Sequence, residues 1–209
     1  YQAVMGTNPS YFSGYPNRPV EKVSWFNAIE YSNRRSIQEG FTPCYSYSTY
    51  GTNPANWPTG WNTNETYHTN ISCSWSANGY RLPTEMEWMF AAKGGTQMHD
   101  YIYSGSNDLN LVGWFNGNNN PYGTKSVGGL QANELGLFDM SGNVFEWCWD
   151  IYGSYPDGSQ NNPTGLSTGA SRLLRGGGFV NGSDSCTVSG RNSHVATVNS
   201  STIGFRCVR

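Results

Sequence analysis

The side chains of this sequence that could carry out chemistry are few and widely spaced. No two of the five cysteines have the CxxC spacing of a zinc or thioredoxin-like site. These cysteines are Cys44, Cys73, Cys148, Cys186 and Cys207. Cys44 and Cys73 flank a low-complexity insertion, which leaves two interpretations: a disulfide that closes the insertion in an oxidising compartment, or five free thiols. The three histidines lie in polar segments without metal-ligand spacing, and no HExxH or GxSxG motif is present.

Two carboxylates, Glu85 and Glu87, lie close together in the segment RLPTEMEW. Paired carboxylates can act as a general acid and base. They also suit the start of a helix, where Thr84 and Glu87 would form a capping box and both charges would face the positive end of the helix dipole. We favour the structural role, because Pro83 and Thr84 mark a helix start.

Oxygen-rich groups cluster in the segment DMSGNVFEW. The carboxylates of Asp139 and Glu146, with the backbone oxygens of Gly142 and Val144, are ligands that a hard cation such as calcium prefers. In the alternative interpretation, this is a tight turn in which Asp139 and Glu146 bind backbone amides.

Composition excludes several classes of protein. Charged residues make up 12% of the 209 residues, aromatic residues 15%, and the net charge is −2. No basic stretch could hold a nucleic-acid backbone, and no run of about 18 apolar residues could span a membrane. The high aromatic content and low net charge argue against disorder. Because Gly, Asn, Ser, Thr and Tyr separate short apolar runs, we predict a loop-rich domain.

Two helices are predicted, over residues 24–39 and 84–93. In the first, buried positions recur at helical spacing at Trp25, Ala28, Ile29 and Ser32. Ser24 is the expected N-cap and Gly40 ends the helix. The second helix has an expected apolar face of Met86, Met89 and Phe90. Short strands are predicted at 44–47, at 71–75 and within 136–152.

Four blocks of sequence together resemble one family. They are PVEKVSWFNAIEY (19–31), GYRLPTEMEWMFAAKGG (79–95), GLFDMSGNVFEWCWD (136–150), and RLLRGG with GFRCVR (172–177 and 204–209). This pattern resembles the formylglycine-generating enzyme, or sulfatase-modifying factor, family. The resemblance implies an α+β fold: one C-type lectin domain over 1–209, irregular and loop-rich, with two main helices and short antiparallel strands. It also matches Asp139–Glu146 to a structural calcium site. The family begins with an earlier strand than YQAVMG, so a truncated chain is one expectation.

The catalytic pattern of that family is incomplete here. Its enzymes use two cysteines and copper(I) to oxidise a substrate cysteine, and copper(I) prefers thiolates. The two matching positions are Asn181 and Cys186. Because a neutral amide cannot replace a thiolate, we expect neither copper nor formylglycine-generating activity. The family's disulfide partner of Cys207 is Ser32 here, a further departure.

The segment 179–203 has an unusual composition. It lacks Lys, Gln, Glu, Met and Trp, although the rest of the chain has all of them. Codons ending in a pyrimidine cannot encode these residues, so the segment is consistent with asparagine codons mutated at their adenines. In this it resembles the variable region of diversity-generating-retroelement proteins, closest to the spirochaete type, which carry a mutable ligand-binding surface on this lectin scaffold. A fixed-specificity lectin-like module is the alternative.

On this interpretation the segment divides into displayed and fixed residues. The expected display residues are Val180, Asn181, Gly182, Asp184, Ser185, Gly190, Asn192, Ser193, His194, Val198, Asn199 and Ser200. The residues expected to face inward or brace the loops are Cys186, Arg191, Ile203, Phe205 and Arg206. Trp114 or Phe115 is expected at the rim.

We expect a ligand-binding protein of a bacterial surface. The chain has no Glu-Pro-Asn or Gln-Pro-Asp tripeptide of calcium-dependent sugar binding, so a protein ligand on another cell or host is favoured over carbohydrate. Nucleic acid is not an expected partner. Export as a surface lipoprotein is expected, with membrane attachment through an anchor outside this chain.

Overall fold

The computed structural model describes residues 1–209. The helices are α1 (Gln2–Met5), α2 (Trp25–Gln38), α3 (Glu85–Ala92) and α4 (Leu109–Val112). The strands are β1 (Tyr45–Tyr47), β2 (Ile71–Cys73), β3 (Gly113–Trp114), β4 (Ser141–Gly142), β5 (Phe145–Ile151), β6 (Arg172–Arg175), β7 (Arg191–His194) and β8 (Ile203–Phe205). None of the helices has both the length and the apolar character that crossing a membrane requires.

Local sequence signals fix the starts of both main helices, as predicted. Ser24 caps α2, and its hydroxyl accepts the N–H of Asn27 while the Asn27 side chain accepts the N–H of Ser24. Thr84 and Glu87 form the same reciprocal box at α3. Such boxes satisfy backbone donors that have no partner inside the helix.

The face that α3 buries differs from the prediction. Its buried residues are Glu85, Trp88 and Ala92, whereas Phe90 is 51% exposed and Met86 and Met89 are half-buried. The expected apolar face is therefore wrong at Phe90, whereas Met89 packs against the core cluster that contains Trp88. The cause is a non-local ion pair that draws Glu85 inward, as described below.

The central sheet has the strand order β7-β6-β5-β8. β6 pairs antiparallel with both β5 and β7, but β8 runs parallel to β5. β1 and β2 form an antiparallel pair, and β3 pairs parallel with β4. The expectation of antiparallel strands thus holds for some pairs and fails for two. It fails at β8 because residues 195–202 return the chain to the sheet end where β5 begins.

One aromatic core joins α2 to this sheet. Trp25 and Trp147 are fully buried, and their indole N–H groups donate to the backbone oxygens of Cys148 and Val23, at 3.0 and 2.9 Å. All four residues of the predicted α2 stripe are fully buried. Because both indole N–H groups have hydrogen-bond partners, the rings add buried apolar area without leaving a donor unpaired. This core therefore holds α2 against the central sheet.

The glycine run after β6 brings the backbone beneath an indole ring. Gly176 and Gly177 have φ angles of 90° and 71°. The Trp88 ring would lie 3.3 Å from a Cβ at Gly176. Glycine tolerates both the positive φ and the close ring, so the chain can turn sharply into the segment 179–203. The five cysteines are free thiols.

Candidate functional site

The segment 179–203 alternates between exposed and buried residues. It forms a 3₁₀ turn at Ser183–Cys186, strand β7, and a connection to β8. Its buried residues are Phe179, Cys186, Val188, Ala196 and Ile203. None of the predicted display residues is buried. Gly182, Asp184, Asn192, His194 and Asn199 are exposed, and Val180, Asn181, Ser185, Gly190, Ser193, Val198 and Ser200 are half-buried.

The display residues fall into two groups in space. Those from Val180 to His194 lie on the loop after β6 and on β7, at one edge of the sheet. Those from Val198 to Ser200 lie on the connection to β8, the strand at the opposite edge. Val198 packs against the main core, and the backbone oxygen of Ser200 accepts the N–H of Lys22. The sequence treated these groups as one surface; the structure separates them.

An aromatic rim lies beside the first group. The N–H of Asn116 donates to the backbone oxygen of Asn181 at 3.1 Å, which places the loop after Trp114 and Phe115 next to the segment. Sequence reasoning missed Tyr122, which is 70% exposed and meets the Phe179 ring at 5.2 Å between centroids. Only its tyrosine type signals a binding role, because exposed tyrosines are common in binding surfaces.

Arg191 braces the start of β7, in the role predicted for it. Its guanidinium binds the Glu85 carboxylate through Nε and Nη2 at 2.7 and 2.8 Å. The Tyr155 hydroxyl donates to the same carboxylate at 2.9 Å, and Arg175 Nε lies 3.6 Å from it. Glu85 is 3% exposed, so this bidentate pair ties the segment to α3 in a low-dielectric setting. The general acid–base interpretation of Glu85 and Glu87 thus gives way to structural ion pairs.

The predicted calcium ligands have other partners. Glu146 accepts from Arg206 Nε and Nη2 at 2.7 and 2.6 Å and from the Trp88 indole at 2.7 Å. Asp139 accepts the N–H of Gly128 at 2.8 Å, and burial raises its pKa.

The Arg206 guanidinium already neutralises Glu146, and a calcium ion at that carboxylate would lie beside a positive charge. No three His, Cys, Asp or Glu side chains are grouped as metal ligands. The two carboxylates are already engaged within the protein and therefore fit a resident calcium ion poorly. The geometry favours a braced turn, although Glu146 binds side chains and not the backbone amides that we expected.

The position that matches the second catalytic cysteine holds a buried thiol. Cys186 is fully buried against Leu109 and Val112, and burial raises its pKa to about 12. The thiol is therefore protonated at neutral pH, and a protonated buried thiol is a poor metal ligand. Asn181, at the other position, offers an amide whose Oδ1 is buried without a hydrogen-bond partner.

Five cavities of about 300 to 760 Å³ open on the surface, and predicted display residues line none of them. The largest of these is lined by Glu85, Asp150, Tyr155, Arg191 and neighbouring residues of 151–166. Within the segment, only Arg191 lines one of these five cavities, so the display residues lie outside them. Small-molecule sites are concave, and a surface outside these cavities suits a macromolecular ligand.

The fold and the braced segment define a lectin-like α+β domain of the formylglycine-generating-enzyme type. Residues 2–209 match the family model described as "Sulfatase-modifying factor enzyme 1-like domain", and the chain belongs to that family. This confirms the resemblance found in the sequence.

Solved structures with the same fold include Treponema denticola variable protein 1. It is 37% identical with a TM-score of 0.87, over 99% of this chain and 78% of that one. CarF is 29% identical with a TM-score of 0.74, over 96% of this chain and 70% of that one.

Curated relatives carry diverse names. The chaperone protein LppX of Paenibacillus barcinonensis is 41% identical over 89% of this chain and 67% of its own length. The formylglycine-generating enzyme of Streptomyces coelicolor is 32% identical over 93% of this chain and 54% of its own. The chain thus spans about half the length of that enzyme.

Proposed function

We propose that this domain is a ligand-binding protein of a diversity-generating retroelement, with 179–203 as its variable surface and no catalytic role. The observation that carries the proposal is the division of the segment by burial. Every predicted display residue is solvent-accessible, while the segment's apolar residues Phe179, Val188 and Ile203 are buried. Side chains at the exposed display positions Asp184, Asn192 and His194 can therefore change without altering the core. Val198 and Gly190 are more constrained, because Val198 packs against the core and a Cβ at Gly190 would lie 2.8 Å from the backbone oxygen of Ser185.

The likeness to a variable protein of Treponema denticola supports this proposal. The match covers 99% of this chain at 37% identity, so the scaffold on which the segment lies is shared. The name of that protein describes sequence variation, which agrees with the pyrimidine-compatible composition of 179–203.

The thiol chemistry supports a non-enzymatic role. An oxidase of this family needs two thiolates for copper(I), whereas this chain has an amide at Asn181 and a buried, protonated thiol at Cys186. Copper is accordingly not part of the proposed function.

The proposed partner is a protein on another cell or host. An open surface of neutral polar residues, with exposed Tyr122 at its rim, has the composition of protein-binding loops. Display to such a partner requires export, and we propose a bacterial surface location with an anchor outside this chain.

A pair of libraries tests the proposal. In one, the exposed residues Asp184, Asn192 and His194 are randomised together; in the matched library, the buried residues Cys186, Val188 and Ala196 are randomised. We expect the first library to fold with melting temperatures near the parent value and to yield members that bind different proteins. We expect the second to be largely unfolded, because large or polar side chains do not fit a close-packed interior.

Loss of folding in the first library would contradict the division into display and scaffold. A formylglycine assay with copper and a sulfatase-derived peptide tests the alternative, which the 32% identity with the Streptomyces coelicolor enzyme favours. Copper-dependent formylglycine formation that is lost in Cys186→Ser would overturn the non-enzymatic proposal.

A further inference from the structure

Strand β7 forms one edge of the central sheet, and its outer side is unpaired. The strand order is β7-β6-β5-β8, so β6 is the neighbour of β7 on one side only. Across this pair, Leu174 lies opposite Asn192 and Arg172 lies opposite His194. An edge strand presents backbone N–H and C=O groups that can pair with another strand.

The hydrogen bonds show which residues of β7 direct their backbone N–H and C=O groups outward. On β6, alternate residues bind β5 and β7, and the N–H of Tyr152 donates to the backbone oxygen of Ser171. The backbone groups of Ser171 therefore point toward β5, and the alternation directs the backbone N–H and C=O groups of Arg172 and Leu174 toward β7. Their partners His194 and Asn192 direct their own backbone groups toward β6. The backbone groups of Ser193 and Arg191 therefore point away from the sheet.

An independent contact agrees with this assignment. The N–H of Ser193 donates to the side-chain Oδ1 of Asn192, its own neighbour, at 2.7 Å. An amide oxygen of the same chain thus takes the position that a carbonyl of an added strand would take. Such a local bond is weak in net terms, because it competes with water, and an incoming carbonyl can replace it.

Two common protections of an edge strand are missing here. Natural edges are kept short, as the four residues of β7 are, and they also carry lysines, prolines or bulges that prevent pairing. β7 has the sequence RNSH, with no Lys or Pro, and its pairing with β6 is regular. The charge of Arg191 is taken by Glu85, so no unpaired strong charge repels an incoming strand.

From these observations we infer that the protein ligand adds an extended segment as a new strand along the outer edge of β7. The inference rests on the proposed function and specifies how that surface binds. The backbone groups at Ser193 and Arg191 would supply affinity that does not depend on side chains. The exposed side chain of His194, which is a display residue, would supply the specificity. The backbone hydrogen bonds could thus keep the affinity for an extended segment while changes at the display residues alter which protein binds.

The probe for this inference is a phage-displayed library of random linear peptides, selected against the immobilised whole chain. An enriched peptide is synthesised, and its Kd is measured for the parent and three variants. Ser193→Pro removes the outward N–H at a place where an edge strand tolerates proline, and Ser193→Ala, which keeps that N–H, is the matched control. Asn192→Ala removes the competing internal acceptor.

We expect Ser193→Pro to weaken binding roughly threefold to tenfold, as the loss of one hydrogen bond would, and Ser193→Ala to leave the Kd unchanged. Asn192→Ala should bind a few-fold more tightly. Amide hydrogen exchange at Ser193 should slow when the peptide binds. If Ser193→Pro lowers the melting temperature, N-methylation of alternate residues of the peptide tests the same hydrogen bonds.

Three results would overturn the inference. Enriched peptides could bind Ser193→Pro and Ser193→Ala equally well without protecting the Ser193 amide. Selection could yield no peptide. Sedimentation could show self-association that Ser193→Pro abolishes, in which case a second copy of the chain would cover the edge. Each of these results would leave the proposed function intact if the library at Asp184, Asn192 and His194 still yielded members that bind different proteins. If that library did not change which proteins bind, the proposed function would fail, whatever the result at β7.

Discussion

At the residue scale, the ion pair between Glu85 and Arg191 connects the scaffold to the segment 179–203. Both carboxylate oxygens of Glu85 accept from Arg191, and the side chain is 4% exposed. Glu87 is a natural comparison in the same helix, because it also binds an arginine, Arg81, but its side chain is 42% exposed.

Glu85→Gln should therefore destabilise the protein by about 3–5 kcal/mol, because it leaves the half-buried guanidinium of Arg191 and the buried guanidinium of Arg175 without their counter-charge. Glu87→Gln should cost less than about 1 kcal/mol, since exposed pairs contribute little and glutamine retains the capping box. Urea unfolding measures both changes. Equal effects of the two substitutions would contradict the assigned difference in burial.

Asp150 gives stability a distinctive pH dependence. Burial raises its pKa from 3.8 to about 7 in the folded protein, and its Oδ2 accepts the N–H of Glu85 at 2.8 Å. Because the folded state binds this proton more tightly than the unfolded chain, the contribution is complete below pH 3.8 and is lost as the pH rises through about 7.

Relative to Asp150→Asn, which cannot ionise, the parent protein should therefore lose stability progressively between about pH 4 and pH 7. The measurement is the difference in melting temperature between the two proteins at intervals across this range. A difference that stays constant with pH, or that moves in the favour of the parent as the pH rises, would show that Asp150 is ionised throughout.

Calcium should not stabilise this protein. Arg206 neutralises Glu146 through hydrogen bonds of 2.6 and 2.7 Å, which removes the principal carboxylate of the expected site. The melting temperature should be the same in calcium and in a chelator. A rise of several degrees with calcium, lost in Asp139→Asn, would instead support the site that the sequence resemblance implies.

At the element scale, local signals were readable from sequence and long-range pairings were not. The starts of α2 and α3 were predictable because Ser24 and Thr84 act on backbone groups three residues away. The inward turn of Glu85 was not predictable, because its partner Arg191 lies 106 positions along the chain. The parallel pairing of β8 likewise depends on a connection whose path no local pattern records.

Two of the four glycines that follow β6 in residues 176–182 are under different constraints. A Cβ at Gly177 would lie 2.6 Å from Cys186 Sγ and 2.8 Å from the backbone oxygen of Ser185, and φ there is +71°. A Cβ at Gly182, a predicted display residue, would meet nothing within 4 Å, and its φ is −67°.

Gly177→Ala should therefore cost at least about 1–2 kcal/mol for the left-handed backbone alone, with the clash in addition. Gly182→Ala should be neutral or stabilising by about 0.4–1 kcal/mol, because it restricts the unfolded chain. Chemical denaturation compares the two variants. Comparable losses for both would mean that display and scaffold positions are not separated as the structure has them.

At the scale of the whole molecule, one scaffold supports a segment that belongs partly to the core and partly to the surface. The sequence identified the family, the segment and the inward role of Cys186, Arg191 and Ile203, because these follow from motifs and residue types. It could not foresee that β7 and β8 occupy opposite edges of the sheet, which separates Val198–Ser200 from the other display residues. The β7 edge, with the aromatic rim near Asn181, is the larger part of the proposed surface.

The central claim is that 179–203 varies while its scaffold does not. Deep sequencing of the 3′ end of the gene, across a cultured population and related isolates, tests it most directly. We predict substitutions concentrated at the exposed codons, with Cys186, Val188 and Ala196 and the block RLPTEMEW unchanged. A segment as invariant as RLPTEMEW, or one that varies equally at buried and exposed codons, would contradict the account.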